Sequence, residues 1–240
     1  MPDNALGPRT LAQFVHARHN SGVWAFVLLV TVAVCTNFIS DGLTVVRLLP
    51  QQELVASRTL YGRISIGVNV ALLVAIAGLW IANSTALMRR AILLTNGLFT
   101  AQLFLAVVLI VARLAQSVKT SVGTLIVDAV IIFVTDILIF ALWYWFIDSA
   151  TTRPRDSPVP ERWDFLFPQR QASYPGYADW TPNFLDYLFL AYTTSVAFSP
   201  TDTLPLSRVA KVLMITQSAI ALIAITAVAG TAINLLAGSA

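Results

Sequence analysis

Four stretches of the chain, about residues 23–40, 64–82, 91–111 and 212–236, hold no charged side chain. A fifth, about 123–146, holds two aspartates and is otherwise apolar. Crossing a hydrocarbon core of ~30 Å takes roughly 20 apolar residues, and uncharged runs of that length are membrane spans. Inside lipid the backbone must satisfy its own hydrogen bonds, which leaves the helix as the form such runs take. Only 11% of the residues are charged, against about 25% in soluble domains. The expected fold is an all-α membrane protein with five transmembrane helices. Trp24, Trp80, Trp143, Tyr144 and Trp145 stand near span ends, where aromatic rings favour the headgroup region.

Three regions follow from this pattern. Residues 1–21 form a polar, amphipathic tail in which Arg9, His16, Arg18 and His19 alternate with Leu11, Phe14 and Val15. This suits a helix lying on the membrane surface. With no apolar run near Met1, no cleavable signal peptide is expected, and the first span would act as an uncleaved anchor. Residues 22–122 form a three-helix membrane region, and residues 123–240 a module of different character. In that module the loop 148–183 carries five prolines before Trp180 and four arginines, Arg153, Arg155, Arg162 and Arg170. Its acids are expected to be ordinary, solvated loop residues. The apolar run 184–198 that follows is too short to cross comfortably and falls in the re-entrant class. The lysines and arginines flanking the spans place the N-terminus and the long loop in the cytoplasm.

The segment Trp180 to Arg208 carries the most information. Thr181 is the expected N-cap of a helix, with Pro182 in its first position. Asp186 complements the positive end of the helix dipole. The helix is expected to end near Thr194, because Pro200 and Pro205 stop its continuation. The order is then span, polar loop, short helix, non-helical strip and span.

That order resembles the pore module of the potassium channel superfamily, in which an outer helix, pore helix, filter strip and inner helix repeat around a four-fold axis. Thr193 and Thr194 stand where that family often has a threonine pair. Ser195-Val196-Ala197-Phe198-Ser199 stands where it has Thr-Val-Gly-Tyr-Gly, and Asp202 and Pro205 stand near its following aspartate and proline. The resemblance covers residues 125–236. It implies a re-entrant pore helix, an ion path along Thr194, Ser195, Val196, Ala197, Phe198, Ser199 and Asp202, a monovalent cation as the permeant species and a homotetramer. It also puts the long loop on the other side of the membrane from the charge balance, and both orientations stay open. Ala197 and Ser199 replace the two glycines that ease the alternating backbone of such a filter. A less selective cation path, or a pore fold that does not conduct, is therefore expected. The whole chain also resembles bacterial multi-pass membrane proteins ending in an Ala-Phe-Ser-Pro-Thr-Asp-Thr-Leu-Pro stretch, a kinship that implies no activity.

Two further candidates stand outside the resemblance. Asp128 and Asp136 lie eight residues apart, close to one helix face. Asp136 falls near mid-membrane, where an acid is a functional hypothesis by default, as a cation ligand or proton relay. The competing reading is a hydrogen-bonded packing residue. Asn69, Asn96, Gln102 and Gln217 also lie in spans and are expected to bond between helices. Ala221, Ala224, Ala227, Ala229, Gly230 and Ala232 permit close helix approach, either between subunits or within the bundle.

Other classes find little support. His16 and His19 alone are too few for a metal site, so neither metal nor cofactor is expected. No span has arginines at every third position, as a voltage sensor would. No phosphate-binding loop, HExxH or nucleophile with a credible base occurs, so an enzyme is not expected. The net charge of +3 comes from short basic clusters between spans, which suits membrane lipid and gives no reason to expect nucleic acid. The leading expectation is a channel-like cation pore in the cell membrane. The alternatives are a proton- or cation-coupled transporter built on Asp136, and a non-conducting structural protein.

Overall fold

The computed structural model describes residues 27, 29–36, 64, 66–79, 82, 85–115, 122–148, 163–171, 180–199 and 202–238. The N-terminal tail with His16 and His19, and half of the first expected span, lie outside these residues.

Five helices frame the described part: α1 (Thr85–Ala115), α2 (Val122–Ile147), α3 (Pro168–Gln171), α4 (Phe184–Ala197) and α5 (Arg208–Gly238). A shorter apolar helix, Ile66–Leu79, and a helical stretch at 29–36 precede them. Three helices are long and apolar enough to cross a membrane, within Arg90–Val111, Ile126–Ile147 and Arg208–Ala227. They match the third, fourth and fifth expected spans. The described part of the second expected span, 64–82, includes the helix Ile66–Leu79. One departure from an all-α fold is an antiparallel pair of two-residue strands, β1 (Phe165–Leu166) and β2 (Leu204–Pro205).

Helix α2 is the centre of the bundle and packs against α1, α4 and α5. Its buried face includes Ile132, Ile139, Phe140 and Leu142, which meet Phe99 and Leu103 of α1 in one continuous core. Two side-chain bonds fix the α1–α2 register. Asn96 Nδ2 donates to Ile139 O at 3.2 Å, and Trp143 Nε1 donates to Thr100 Oγ1 at 2.9 Å. Asn96 thus bonds between helices as expected, and the Trp143 ring is half-buried. Ala221, Ala224 and Ala227 of α5 are buried inside the chain, so these three small residues serve packing within the bundle. Large apolar side chains remain exposed on every long helix, among them Leu94, Phe104, Val134, Val212 and Ile215. In water such a surface would drive association; in lipid it is the ordinary outer face of a bundle.

Helix α4 differs from expectation at both ends. Its N-cap is Asn183, not Thr181, and it closes a capping box with Asp186. Leu185 N donates to Asn183 Oδ1 at 2.8 Å, and Asn183 N donates to Asp186 Oδ2 at 2.7 Å. Pro182 therefore lies just outside the helix. At the other end the helix runs through Ala197 and is stopped by Phe198, whose φ of 55° and ψ of 20° are left-handed. The physical reason lies in the reach of proline: Pro200 obstructs the carbonyl four residues before it and leaves the preceding turn free to form. Ser195, Val196 and Ala197 are consequently helical, and the expected non-helical strip begins only at Phe198.

Candidate functional site

The depth of α4 within the bundle can be read from two hydrogen bonds to α2. Near its start, Tyr187 Oη donates to Asp148 Oδ2 at 2.6 Å. Near its end, Ser195 Oγ donates to Asp136 Oδ2 at 2.8 Å. The two aspartates are 12 residues apart, about 18 Å along the α2 axis. Helix α4 therefore runs antiparallel to α2 from the end of that helix to its middle. Its 14 residues are about 21 Å long, short of a ~30 Å crossing. The chain then returns at once. Strand β2 pairs with β1, and Leu206 N donates to Asp164 O at 2.8 Å, next to Asp148. Residues 184–199 thus run from the end of α2 to its middle, and residues 204–206 lie again beside Phe165 and Asp164.

At the deep end four side chains form a directed chain. Tyr144 Oη donates to Gln217 Oε1. Gln217 Nε2 donates to Ser195 Oγ at 2.8 Å and to Ala191 O at 2.8 Å. Ser195 Oγ passes its own proton toward Asp136. Every residue in the chain is fully buried. Asp136 Oδ1 is also buried and accepts no hydrogen bond. Helices α2, α4 and α5 thus meet at one half-satisfied carboxyl group.

At the shallow end a second aspartate is fully engaged. Asp148 Oδ1 accepts from Asp164 N at 3.1 Å and Oδ2 from Tyr187. Arg170 Nη1 stands 4.0 Å from Oδ2. The Arg170 guanidinium lies 4.6 Å from the centre of the Trp163 ring and 5.9 Å from that of Trp180. Phe167 packs edge-on against both Tyr187 and Trp180. Burial, and secondarily the Asp148 carboxylate, push the Tyr187 phenol well above its ordinary pKa. Asp148 and Arg170 correct the expectation that the loop's charges are simply solvated: both are almost wholly removed from solvent. The signal was present in sequence as aromatic residues around Arg170, at Trp163, Phe165, Phe167 and Trp180.

The remaining expected residues divide between inside and outside. Thr194 is buried and its Oγ1 donates to Leu190 O at 2.7 Å. Val196, Ala197, Phe198, Ser199 and Asp202 are exposed, at the tip of α4 and on the returning strand. Asp128 is buried, two helical turns from Asp136 and outside the hydrogen-bonded chain. Two sequence candidates treated as separate, Asp136 and Ser195, are brought into one contact. Gln217, expected only to bridge helices, is its centre. Among the described residues no group of three or more His, Cys, Asp or Glu side chains could hold a metal ion. No protein family, curated protein or solved structure matches the chain.

Proposed function

We propose that the chain is one subunit of a channel-like cation pore in the cell membrane, crossing it five times, with α4 as a re-entrant helix and a homotetramer as the assembly. The observation that carries this reading is the depth of α4. A helix that stops halfway leaves an irregular, polar return segment at membrane depth. Lipid does not tolerate such backbone; it persists only against other protein or beside water. The tip at Val196–Ser199 is exposed in the single chain, so neighbouring copies and a water-filled path between them are the natural surroundings.

The electrostatics favour a cation. The C-terminal end of a helix carries roughly half a negative elementary charge, and several copies of α4 would aim that charge at one axis. The carbonyls of the last turn, of which Ala197 O accepts from Ser199 Oγ at 3.5 Å, come from the residues that the resemblance aligns with the filter. Because Ser195–Ala197 are helical, they would present a single cluster of carbonyls rather than stacked rings. Weak discrimination between potassium and sodium is the consequence. Exposed Ser199 and Asp202 would line the way out.

The test is ion flux through purified protein in liposomes under a potassium gradient, comparing potassium, sodium and proton entry. Cation flux above that of empty liposomes, altered by Phe198→Ala, is the expected result. Silence across voltage and pH would overturn the pore and leave an accessory role. Proton entry alone would replace it with a transporter built on Asp136.

A further inference from the structure

The deep carboxyl group poses a problem of charge that the shallow one solves. Asp136 has no exposed surface; Ser195 donates to it at 2.8 Å, and the other polar side chain acting on it is the neutral Gln217 amide. Both protons of Gln217 Nε2 are committed, to Ala191 and to Ser195. Ser195 stands in the last turn of α4, whose dipole places further negative charge beside the carboxyl. An ionised acid there would lack a cation, a second donor and water at once, and burial of that kind is among the most expensive in a protein.

Among the described side chains, the ionisable groups on the elements packed against Asp136 do not relieve it. On α2 itself they are Asp128 and Asp148, both acidic, and Tyr144, which is turned to Gln217. On α4 they are Asp186, Tyr187 and Tyr192, the first two at the shallow end. On α5 they are Arg208 and Lys211, both exposed at the start of that helix. On α1, Arg90 is exposed and Asn96 faces the level of Ile139 without charge.

We propose that Asp136 is a proton-binding site, its carboxyl holding an exchangeable proton at Oδ1 that governs whether the deep end of α4 stays docked on α2 and α5. On release the O–H bond at Oδ1 breaks, the proton passes to water as hydronium, and the electron pair stays on the carboxylate. The new charge must draw in water or a cation, and exposed surface begins directly after Ser195, at Val196 to Ser199. Entry there separates α4 from Gln217. Proton occupancy stands on the geometry of the single chain; its effect on ion passage rests on the pore reading.

The experiment is infrared difference spectroscopy of the purified protein across pH, in H2O and D2O, paired with thiol labelling of Phe198→Cys in a Cys35→Ser background. A protonated-carboxyl band is expected that shifts in D2O, fades as pH rises and is missing from Asp136→Asn. Ser195→Ala should raise its frequency, because the carbonyl loses its donor. Labelling of the tip should rise several-fold more with pH when Asp136 is present than in Asp136→Asn, a comparison that cancels the thiol's own titration. No Asp136-dependent band, or one that never titrates while the protein is folded, overturns the proton site. Equal labelling in both backgrounds overturns the coupling. A titrating band in a protein that passes no cations removes the pore reading alone.

Discussion

The two ends of α4 meet the same helix through the same pairing, an α4 hydroxyl donating to an α2 aspartate, yet the two contacts are built to opposite ends. At the shallow end both oxygens of Asp148 are engaged, by Asp164 N and by Tyr187, and Arg170 supplies the opposite charge. At the deep end Asp136 has one donor, no cation and a vacant oxygen. A carboxylate satisfied on all sides is a fastening, because any change of state costs it partners. A carboxyl satisfied on one side can change state. The difference teaches that buried acids must be judged by what surrounds each oxygen, since burial alone makes these two look alike.

Substituting asparagine at each end gives the largest contrast. In Asp148→Asn the new amide turns a donor toward one of two existing donors and leaves Arg170 without its counter-charge. Losing one partner of a buried pair of this kind costs about 3 kcal/mol, read as a lower denaturation midpoint in detergent. The tyrosines come next. Tyr187→Phe removes a donor from a charged acceptor and should cost about 2 kcal/mol, whereas Tyr144→Phe removes one from a neutral amide and should cost about 1 kcal/mol. Equal losses would mean that the two ends are electrostatically alike, and the comparison would fail.

A smaller effect is expected from Asp136→Asn, below about 1 kcal/mol in the same assay. Its Oδ1 can still accept from Ser195, and its Nδ2 occupies the side where no donor stands. A loss as large as that of Asp148→Asn would show that the deep carboxyl is ionised and paired. The last contrast is one of pH. The folded-state pKa of Tyr187 lies above its unfolded value, so its contribution is intact below about pH 10 and is lost as pH rises beyond it. The loss should stay under about 1 kcal/mol at pH 10.5, and Tyr187→Phe should abolish it.

Much of the architecture was legible in sequence because apolar length is a strong signal. The spans at 91–111, 123–146 and 212–236 and the short run before the last of them needed no tertiary information. The boundaries of α4 were less legible. Asn183 and Asp186 have capping-box spacing, but Thr181-Pro182 offered an equally ordinary start. Nothing between Thr194 and Ala197 breaks a helix, and only Pro200 set a limit. The site itself was legible as parts. Asp136 and Ser195 are 59 residues apart, and Ser195 and Gln217 are 22 apart. No helical or strand periodicity relates positions so distant, and only packing joins them. Asp148 and Arg170 were misjudged because a proline-rich loop is usually solvated, and a clasp of aromatic rings is what removes these two from water.

Gln217 gives α4 two of its three described side-chain links at the deep end, and it lies in the last helix of the sequence. A ribosome making this chain completes α2 and α4 before Gln217 exists. Until then Ala191 O and Ser195 Oγ lack these partners. The deep end of the short helix gains these two links only once α5 has entered the bundle. Nascent chains cut off before residue 217 should therefore hold the deep end of α4 less firmly than longer ones, which makes α5 part of the seat for a helix synthesised before it.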